Sequence, residues 1–417
     1  MKKIAIIFVL LAQVAGVTYA QRNTREEIMA DIEKAGGVHY MYPTDQPIPT
    51  EAPKGYKPFY VSHVGRHGAR FALGSTVYTD QWKVWSMAHD KGWLTPEGEA
   101  IFKAFAVFYP QVQRREGNLT QKGQEQHRFI ASQLYYNYPE VFKGETRATA
   151  VSTGIHRVIV SMFCFLDQLE QLDKDFSYQA DYGYPYQGFL LPDSIDASRS
   201  WPKEVDEKYY AFRTEKVDAN GIMDRWFSVP SDSLGVRSSY SFCRNLHTVV
   251  STLDNLDIPA PEALQNAFTP EERYHLWEVG NYSDYLWSGM SPEVDNVSPM
   301  AMKGLLRDIL DNAEQDWANG IALRLRFAHD STLMPLLSLM DVNGMGVRTA
   351  NPLAVENAWR SFDIPMACNL QLVFFRSKKN PDILVQVLLN GFEATLPLQQ
   401  AAPGFYKWED IKALYIY

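Results

Sequence analysis

The chain has 417 residues, 46% of them hydrophobic and 21% charged, with a formal net charge of −9 and three cysteines. That length exceeds the size at which single cores stop growing, so one large domain with a substantial insertion, or two domains, is expected, and the composition excludes a disordered or low-complexity chain. The acidic balance argues against nucleic acid as a partner, because such binding rests on basic patches that neutralise phosphates, and three cysteines allow at most one disulfide, so the fold does not rest on a disulfide framework.

Met1-Lys2-Lys3, the apolar run from Ile4 to Val14 and the small-residue end Gly16-Val17-Thr18-Tyr19-Ala20 have the three parts of a secretory leader, with cleavage expected before Gln21. The apolar run is shorter than the roughly 20 residues needed to span a bilayer, and no later stretch reads as transmembrane. A secreted or periplasmic protein without stable membrane insertion is expected. Loss of Lys2 and Lys3 takes the net charge from −9 to −11, so an anionic ligand has to be attracted locally.

Thr24 to Lys34 reads as a short amphipathic helix, and five prolines from Pro43 to Pro58 mark an extended lead-in. The aromatic and β-branched run Phe59-Tyr60-Val61-Ser62-His63-Val64 reads as a strand that ends in Gly65-Arg66-His67-Gly68-Ala69-Arg70. Gly65 and Gly68 permit turns and close ligand approach. Arg66 and Arg70 are permanently charged planar forks suited to phosphate oxygens, and His67 supplies a nitrogen nucleophile between them. His63 reads as a bystander.

Two helical stretches follow between Trp82 and Tyr109, the second opening at Thr95-Pro96-Glu97 with an N-cap, a first-turn proline and an early acid. Asn118 to Gln126 caps a longer helix with Phe129, Ile130, Leu134 and Tyr138 at helical spacing. Thr146 to Val151 reads as a second strand, running through Ser152-Thr153-Gly154-Ile155-His156-Arg157 into a helix from Val158 to about Leu172. Cys164 in that helix reads as core. From Tyr178 the pattern changes to aromatic segments punctuated by Pro and Asp, among them Tyr182-Gly183-Tyr184-Pro185-Tyr186 and Asn281-Tyr282-Ser283-Asp284-Tyr285, expected to form an inserted, mainly helical cap. The core resumes with a helix from about Ser298 to Trp317 and a strand, Ile321 to Ala328, that runs into His329-Asp330-Ser331-Thr332. Leu370 to Phe375 and Ile383 to Leu389 read as a closing hairpin.

Strands alternating with helices predict an α/β fold, an αβα layered and mainly parallel sheet whose ligands lie at the carboxyl ends of the strands. The expected division is a leader over 1–20, a first core part over 21–177, the cap over 178–297 and a second core part over 298–417. Three strand ends then bring Arg66, His67, Arg70, Arg157, His329 and Asp330 to one place. There is no H-E-x-x-H, no Cys pair at zinc spacing, no G-x-x-x-x-G-K-[ST] and no G-x-S-x-G, so no metal and no cofactor is expected. His127, His156, His247 and His275 read as surface or half-buried residues. Alone, His329-Asp330 also fits a helix cap beside a satisfied histidine, and Arg157 a surface arginine.

Arg66-His67-Gly68-Ala69-Arg70 matches RHGxR, and with the distant His329-Asp330 it resembles the histidine acid phosphatases, a branch of the histidine phosphatase superfamily with a phosphoglycerate-mutase-like core. Ser152-Thr153 followed by Arg157 and Ser161 is similar to the family's segment carrying a third phosphate-binding arginine, and Leu119-Thr120-x-x-Gly123 stands at the family's usual helix start. The resemblance spans roughly residues 55–400, weakest in the cap. It implies phosphomonoester hydrolysis: His67 attacks phosphorus to give a phosphohistidine, Arg66, Arg70, Arg157 and His329 bind the phosphate, and Asp330 is the general acid. Physical chemistry assigns the same roles, since a phosphate dianion needs its oxygens neutralised and its attacking and departing atoms aligned.

The family often continues RHGxR with x-Pro-Thr, where this chain has Phe71-Ala72-Leu73-Gly74. The carboxyl half, with Asn369 to Phe375 and Val387 to Gly391, resembles bacterial relatives of the multiple inositol-polyphosphate phosphatases, yet those carry His-Ala-Glu in place of His329-Asp330-Ser331. The expected partner is a small phosphorylated substrate, an inositol polyphosphate such as phytate. The alternatives are a broad acid or sugar-phosphate phosphatase and, in another class, an idle phosphate-binding module that keeps the arginines.

Overall fold

The computed structural model describes residues 23–192 and 200–415, so the expected leader lies outside the described residues. Among them, eight strands form one sheet: β1 (Tyr56–Arg66), β2 (Thr146–Ser152), β3 (Phe176–Tyr182), β4 (Leu323–Ala328), β5 (Asn369–Ser377), β6 (Leu384–Leu389), β7 (Phe392–Glu393) and β8 (Phe405–Lys407). The order is β3-β2-β4-β1-β5-β6-β7, with β8 also on β6. The run from β3 to β1 is parallel, whereas β5 turns back antiparallel on β1 and β6 on β5. This is the expected αβα fold with a mainly parallel sheet.

Register is what gathers the polar loops. Arg66 stands beside Ala328, so His67 and His329 leave the sheet at the same level, and Ser152 stands beside Phe327, which brings the loop to Arg157 alongside. Successive β1 residues alternate between two cores, as the pleat requires. Tyr60 and Val64 join Leu305, Ile309, Leu333 and Leu337 on one face. Val61 joins Ile130, Leu134, Phe165 and Leu169 on the other, under the helices Gln121–Asn137 and His156–Leu172.

Several local readings change. The expected cap boundary at 178 falls inside β3, an edge strand whose exposed face is polar and hides the strand signal. The helix read from Ser298 to Trp317 is broken at Met302 into Val297–Ala301 and Lys303–Ala318. The first helix stops at Ala30 and gives way to a 3-10 segment, Ile32–His39. The lead-in after it is tied to the sheet: Asn369 Nδ2 donates to the buried Tyr42 hydroxyl at 2.9 Å, and Gln46 Nε2 donates to the Asn390 carbonyl at 2.9 Å. All three cysteines are buried free thiols.

The histidines set aside as bystanders are mostly core. His63 and His127 are both 0% exposed, His63 packed on the rings of Phe165 and Phe327 and His127 on that of Phe327, and His247 is buried within the cap against Phe268. His127 shares its helix face with Ile130, Ala131 and Leu134, so the apolar spacing carried that information. Gln371 contacts His63 Nδ1 at 3.2 Å, while neither His127 nitrogen has a partner. His156 is exposed and contacts Asn118, and His275 is half-buried beside Glu271 and Glu278, both as expected.

The loop after β1 lies against the start of helix Gln121–Asn137 with no room for a side chain. A Cβ on Gly68 would meet the Gly123 carbonyl oxygen at 2.2 Å, and one on Gly123 would meet the Ala69 oxygen at 2.2 Å. Gly123→Ala is therefore expected to lower unfolding stability by about 1–3 kcal/mol through overpacking. Gly280→Ala, where an added Cβ meets nothing within 4 Å, should be neutral or raise stability by up to about 1 kcal/mol. Urea melts of both variants check this.

Burial pushes His63, His127 and His247 each down to about 3. These groups bind their protons more weakly folded than unfolded, so the unfolded chain takes up more protons between the two values. Stability is therefore full above about pH 6.5 and falls as the pH drops toward 3, by up to about 1.4 kcal/mol per pH unit for each group. Thermal melts across that window should show Tm falling with acid, and His127→Leu should flatten the fall.

Candidate active site

The site starts from a backbone with its hydrogen bonds filled. The Arg66 N–H donates to the Cys368 carbonyl at 2.7 Å, that of His67 to Ala328 at 3.1 Å, and the Ala367 N–H donates to the His67 carbonyl at 3.0 Å. The Gly68 N–H donates to Ser161 Oγ at 3.1 Å and the Ala69 N–H to Gln126 Oε1 at 2.8 Å. Thr120, the N-cap of helix Gln121–Asn137, sends its hydroxyl to the Ala69 carbonyl at 3.0 Å and accepts from the Gly123 N–H at 3.1 Å. Two helices and two strands thus fix the loop, which lets it present side chains in one geometry.

His67 is 1% exposed, and its Nδ1 lies 2.9 Å from the Gly68 carbonyl oxygen. A carbonyl only accepts, so the proton sits on Nδ1 and the Nε2 lone pair is free. Burial first, and then the charges of Arg66, Arg70 and Arg157, hold the ring well below the usual histidine range. His67 is thereby a neutral imidazole even at acidic pH.

Arg66 is 0% exposed. Its Nη1 donates to the carbonyls of Val38, Ile364 and Pro365 at 2.5, 3.0 and 3.0 Å, and its Nη2 pairs with Asp330 Oδ2 at 2.7 Å. Arg70 is 2% exposed and donates to the Phe71 carbonyl at 3.0 Å. Burial pulls it down to about 9, against the opposing pull of Asp330. Arg157, in the first turn of helix His156–Leu172, is half-buried and shifted down by burial as well. The Nε of all three guanidiniums is buried without a hydrogen-bond partner, an arrangement that a tetrahedral oxyanion would complete.

His329 and Asp330 close the site at the start of helix Asp330–Met340. His329 Nε2 lies 3.1 Å from Thr153 Oγ1, its ring centroid 5.6 Å from that of His67. Burial takes it down to about 4, so it is neutral across most working pH values and can donate one N–H. Asp330 accepts from Arg66 and, at Oδ1, from the Ser331 N–H at 2.9 Å. Burial alone would raise its carboxyl, but Arg66, Arg70, His67 and His329 outweigh that and hold it well below the usual range. All six expected residues are brought together.

Two further ionisable groups join them. His39, from the 3-10 segment, is taken down to about 3 by burial and by Arg70 and Arg66. Asp284, on cap helix Pro270–Ser288, is pushed up to about 7 by burial and by the charge of Asp330. No motif marks either one, because each meets the site only through tertiary packing. Ser161, Gln126 and Thr153 act as supports; of these, Ser161 and Thr153 stood in the segment singled out around Arg157. Among the described residues no group of three or more His, Cys, Asp or Glu is placed to hold a metal ion, and no helix is long and apolar enough to cross a membrane.

No protein-family model matches the sequence, and comparison with curated protein sequences finds no match. Solved structures do match. The Bifidobacterium longum multiple inositol polyphosphate phosphatase in complex with inositol hexasulfate aligns with a TM-score of 0.71 at 18% identity, covering 92% of this chain and 97% of that one. The phytase from D. castellii aligns with a TM-score of 0.70 at 14% identity, covering 92% of this chain and 84% of its own. The phytase from Citrobacter braakii aligns with a TM-score of 0.55 at 12% identity, over 87% and 97% of the two chains. The likeness extends over almost the whole described chain, cap included, and on it the chain has the histidine acid phosphatase fold.

Proposed function

We propose that the protein is a secreted phosphomonoesterase that needs no metal, works through a phosphohistidine on His67 and takes inositol polyphosphates as substrates. The observation that carries this reading is the trio of guanidiniums, two of them buried and the third half-buried, each with a buried, unpartnered Nε, around a neutral imidazole whose Nε2 lone pair is free. Arg66, Arg70 and Arg157 neutralise the equatorial oxygens, and His329 adds a donor. His67 Nε2 attacks phosphorus as the P–O bond to the leaving group breaks, and the departing oxygen takes the Asp330 proton. Water then attacks the phosphohistidine, Asp330 takes the water proton, and inorganic phosphate leaves with His67 restored.

The charge balance sets the pH dependence. In the free site Asp330 is held ionised, so few molecules carry the needed proton at neutral pH; a bound phosphate dianion opposes the arginines and returns the carboxyl toward a donor. Acidic conditions favour turnover, and His67 stays neutral there. The similarity in fold to an inositol polyphosphate phosphatase and to phytases supports the substrate class.

Phosphate release from phytate and from nitrophenyl phosphate tests the reading. Wild-type protein should hydrolyse both, with or without a chelator, and His67→Ala should lose both while keeping its Tm. Asp330→Asn should slow phytate by about 10²–10⁴-fold, because an alkoxide leaving group needs a general acid, and slow nitrophenyl phosphate far less. Turnover by His67→Ala at wild-type rates would overturn the mechanism, and wild-type binding of phosphate without turnover would mark an idle module.

A further inference from the structure

At the end of the sheet opposite the catalytic loop, where β1 and β4 begin and β5 stops, lies a cleft of about 590 Å³ that the reaction at His67 does not use. Its volume is that of a small-molecule pocket. Phe59, seven residues before Arg66 on the same strand, lines it, so at about 3.3 Å per residue the cleft stands roughly 23 Å from the phosphate site. The two sites share no residue. Phe59 and Trp317 meet edge to face there with centroids 5.5 Å apart, and Trp317 is anchored from behind by Tyr60, Phe374 and Trp408. Both lining rings are half-buried, which leaves apolar surface open to a ligand.

The charges around these rings do not balance. Five cations line the cleft, Lys57, Lys143, Arg376, Lys378 and Lys379, against two carboxylates, Glu140 and Glu145. Glu140 is already engaged, by Lys57 at 3.9 Å and by Lys143 at 3.5 Å, and Asp382, the acid of the β5–β6 connection, pairs with Lys407 at 2.8 Å. Arg376, Lys378 and Lys379 are exposed and have no carboxylate partner among the described residues. The Arg376 guanidinium lies over the Phe59 ring, 4.6 Å from its centroid, which holds one cation in place directly beside the apolar surface. A chain with a net charge of −9 thus gathers unpaired positive charge at a second place, next to aromatic rings.

We propose that this cleft is a second ligand site and that it takes a small aromatic anion: a planar ring system packs against Phe59 and Trp317, and its carboxylate, sulfonate or phosphate is held by Arg376 and the hairpin lysines. A neutral apolar ligand would leave those cations unanswered, and a bare inorganic anion would leave the rings uncovered. A ring that carries an anionic group satisfies both, with the guanidinium already positioned at the junction. Occupancy of this site is independent of the reaction at His67.

Two dyes test this. Anilinonaphthalene sulfonate brightens in apolar surroundings and carries one negative charge, and phenylnaphthylamine has the same rings without the charge. Fluorescence titration of the full chain should give one saturable site for the sulfonate and binding about 10-fold weaker for the neutral dye, as expected for the loss of a charge-assisted contact. Arg376→Gln, and separately Lys378→Gln combined with Lys379→Gln, should weaken the sulfonate by about 3- to 10-fold and leave the neutral dye unchanged. These side chains are exposed, so both variants should keep the wild-type Tm. Saturating inorganic phosphate, and His67→Ala, should leave the sulfonate titration as it is, because both act at the other end of the sheet. Equal affinity for the two dyes, unchanged sulfonate binding in both variants, or displacement of the sulfonate by phosphate would overturn the proposal.

Discussion

Three arginine cations packed around one histidine, with a single carboxylate among them, are the constraint to which the rest of the structure answers. Burying charge without compensation costs several kcal/mol per ion, and here the compensation comes from backbone. Arg66 is held by three carbonyls from two distant segments, Val38 on one side and Ile364 and Pro365 on the other, as well as by Asp330. The parallel β1–β4 pairing brings Asp330 to the end of β1, the antiparallel β1–β5 pairing brings the stretch with Ile364 and Pro365, and Val38 comes from the 3-10 segment Ile32–His39. The remaining positive charge makes this site locally cationic in a chain whose overall charge is negative.

Burial and that excess of positive charge together set the protonation of the neighbours. Burial first, and then the arginines, keep His67 and His329 neutral, while Arg66 and Arg70 outweigh burial and keep Asp330 ionised. The proposed reaction therefore gains from acid, because in it Asp330 has to carry a proton. The fold loses from acid, because His63 and His127 are buried in the core, where burial holds both down to about 3. The two tendencies bound a working pH range from opposite sides.

Much of the core site was legible because it is contiguous in sequence. Arg66, His67 and Arg70 stand at the end of one strand, and His329-Asp330 follow another, so locating the strands located the side chains that gather there. Arg157 required the resemblance, since a lone arginine in a helix's first turn carries no signal of its own. His39 and Asp284 were not legible: one lies in a 3-10 segment read as the tail of a helix, the other in an aromatic cap helix, and only packing brings them near Asp330. His127 was misjudged by residue type, although its spacing with Ile130 and Leu134 placed it on the buried face. Strand β3 was missed because an edge strand with one solvated face alternates too weakly to stand out from its polar surroundings.

The account stands on His67 Nε2 as the atom that receives phosphorus. Rapid acid-free quench of the wild-type protein with phytate, followed by peptide mass spectrometry, reads this directly. The account predicts a base-stable, acid-labile phosphate on the peptide containing His67, appearing before free phosphate accumulates and absent from His67→Ala. Phosphate on another residue, or a burst of product with no phosphorylated peptide, would contradict it.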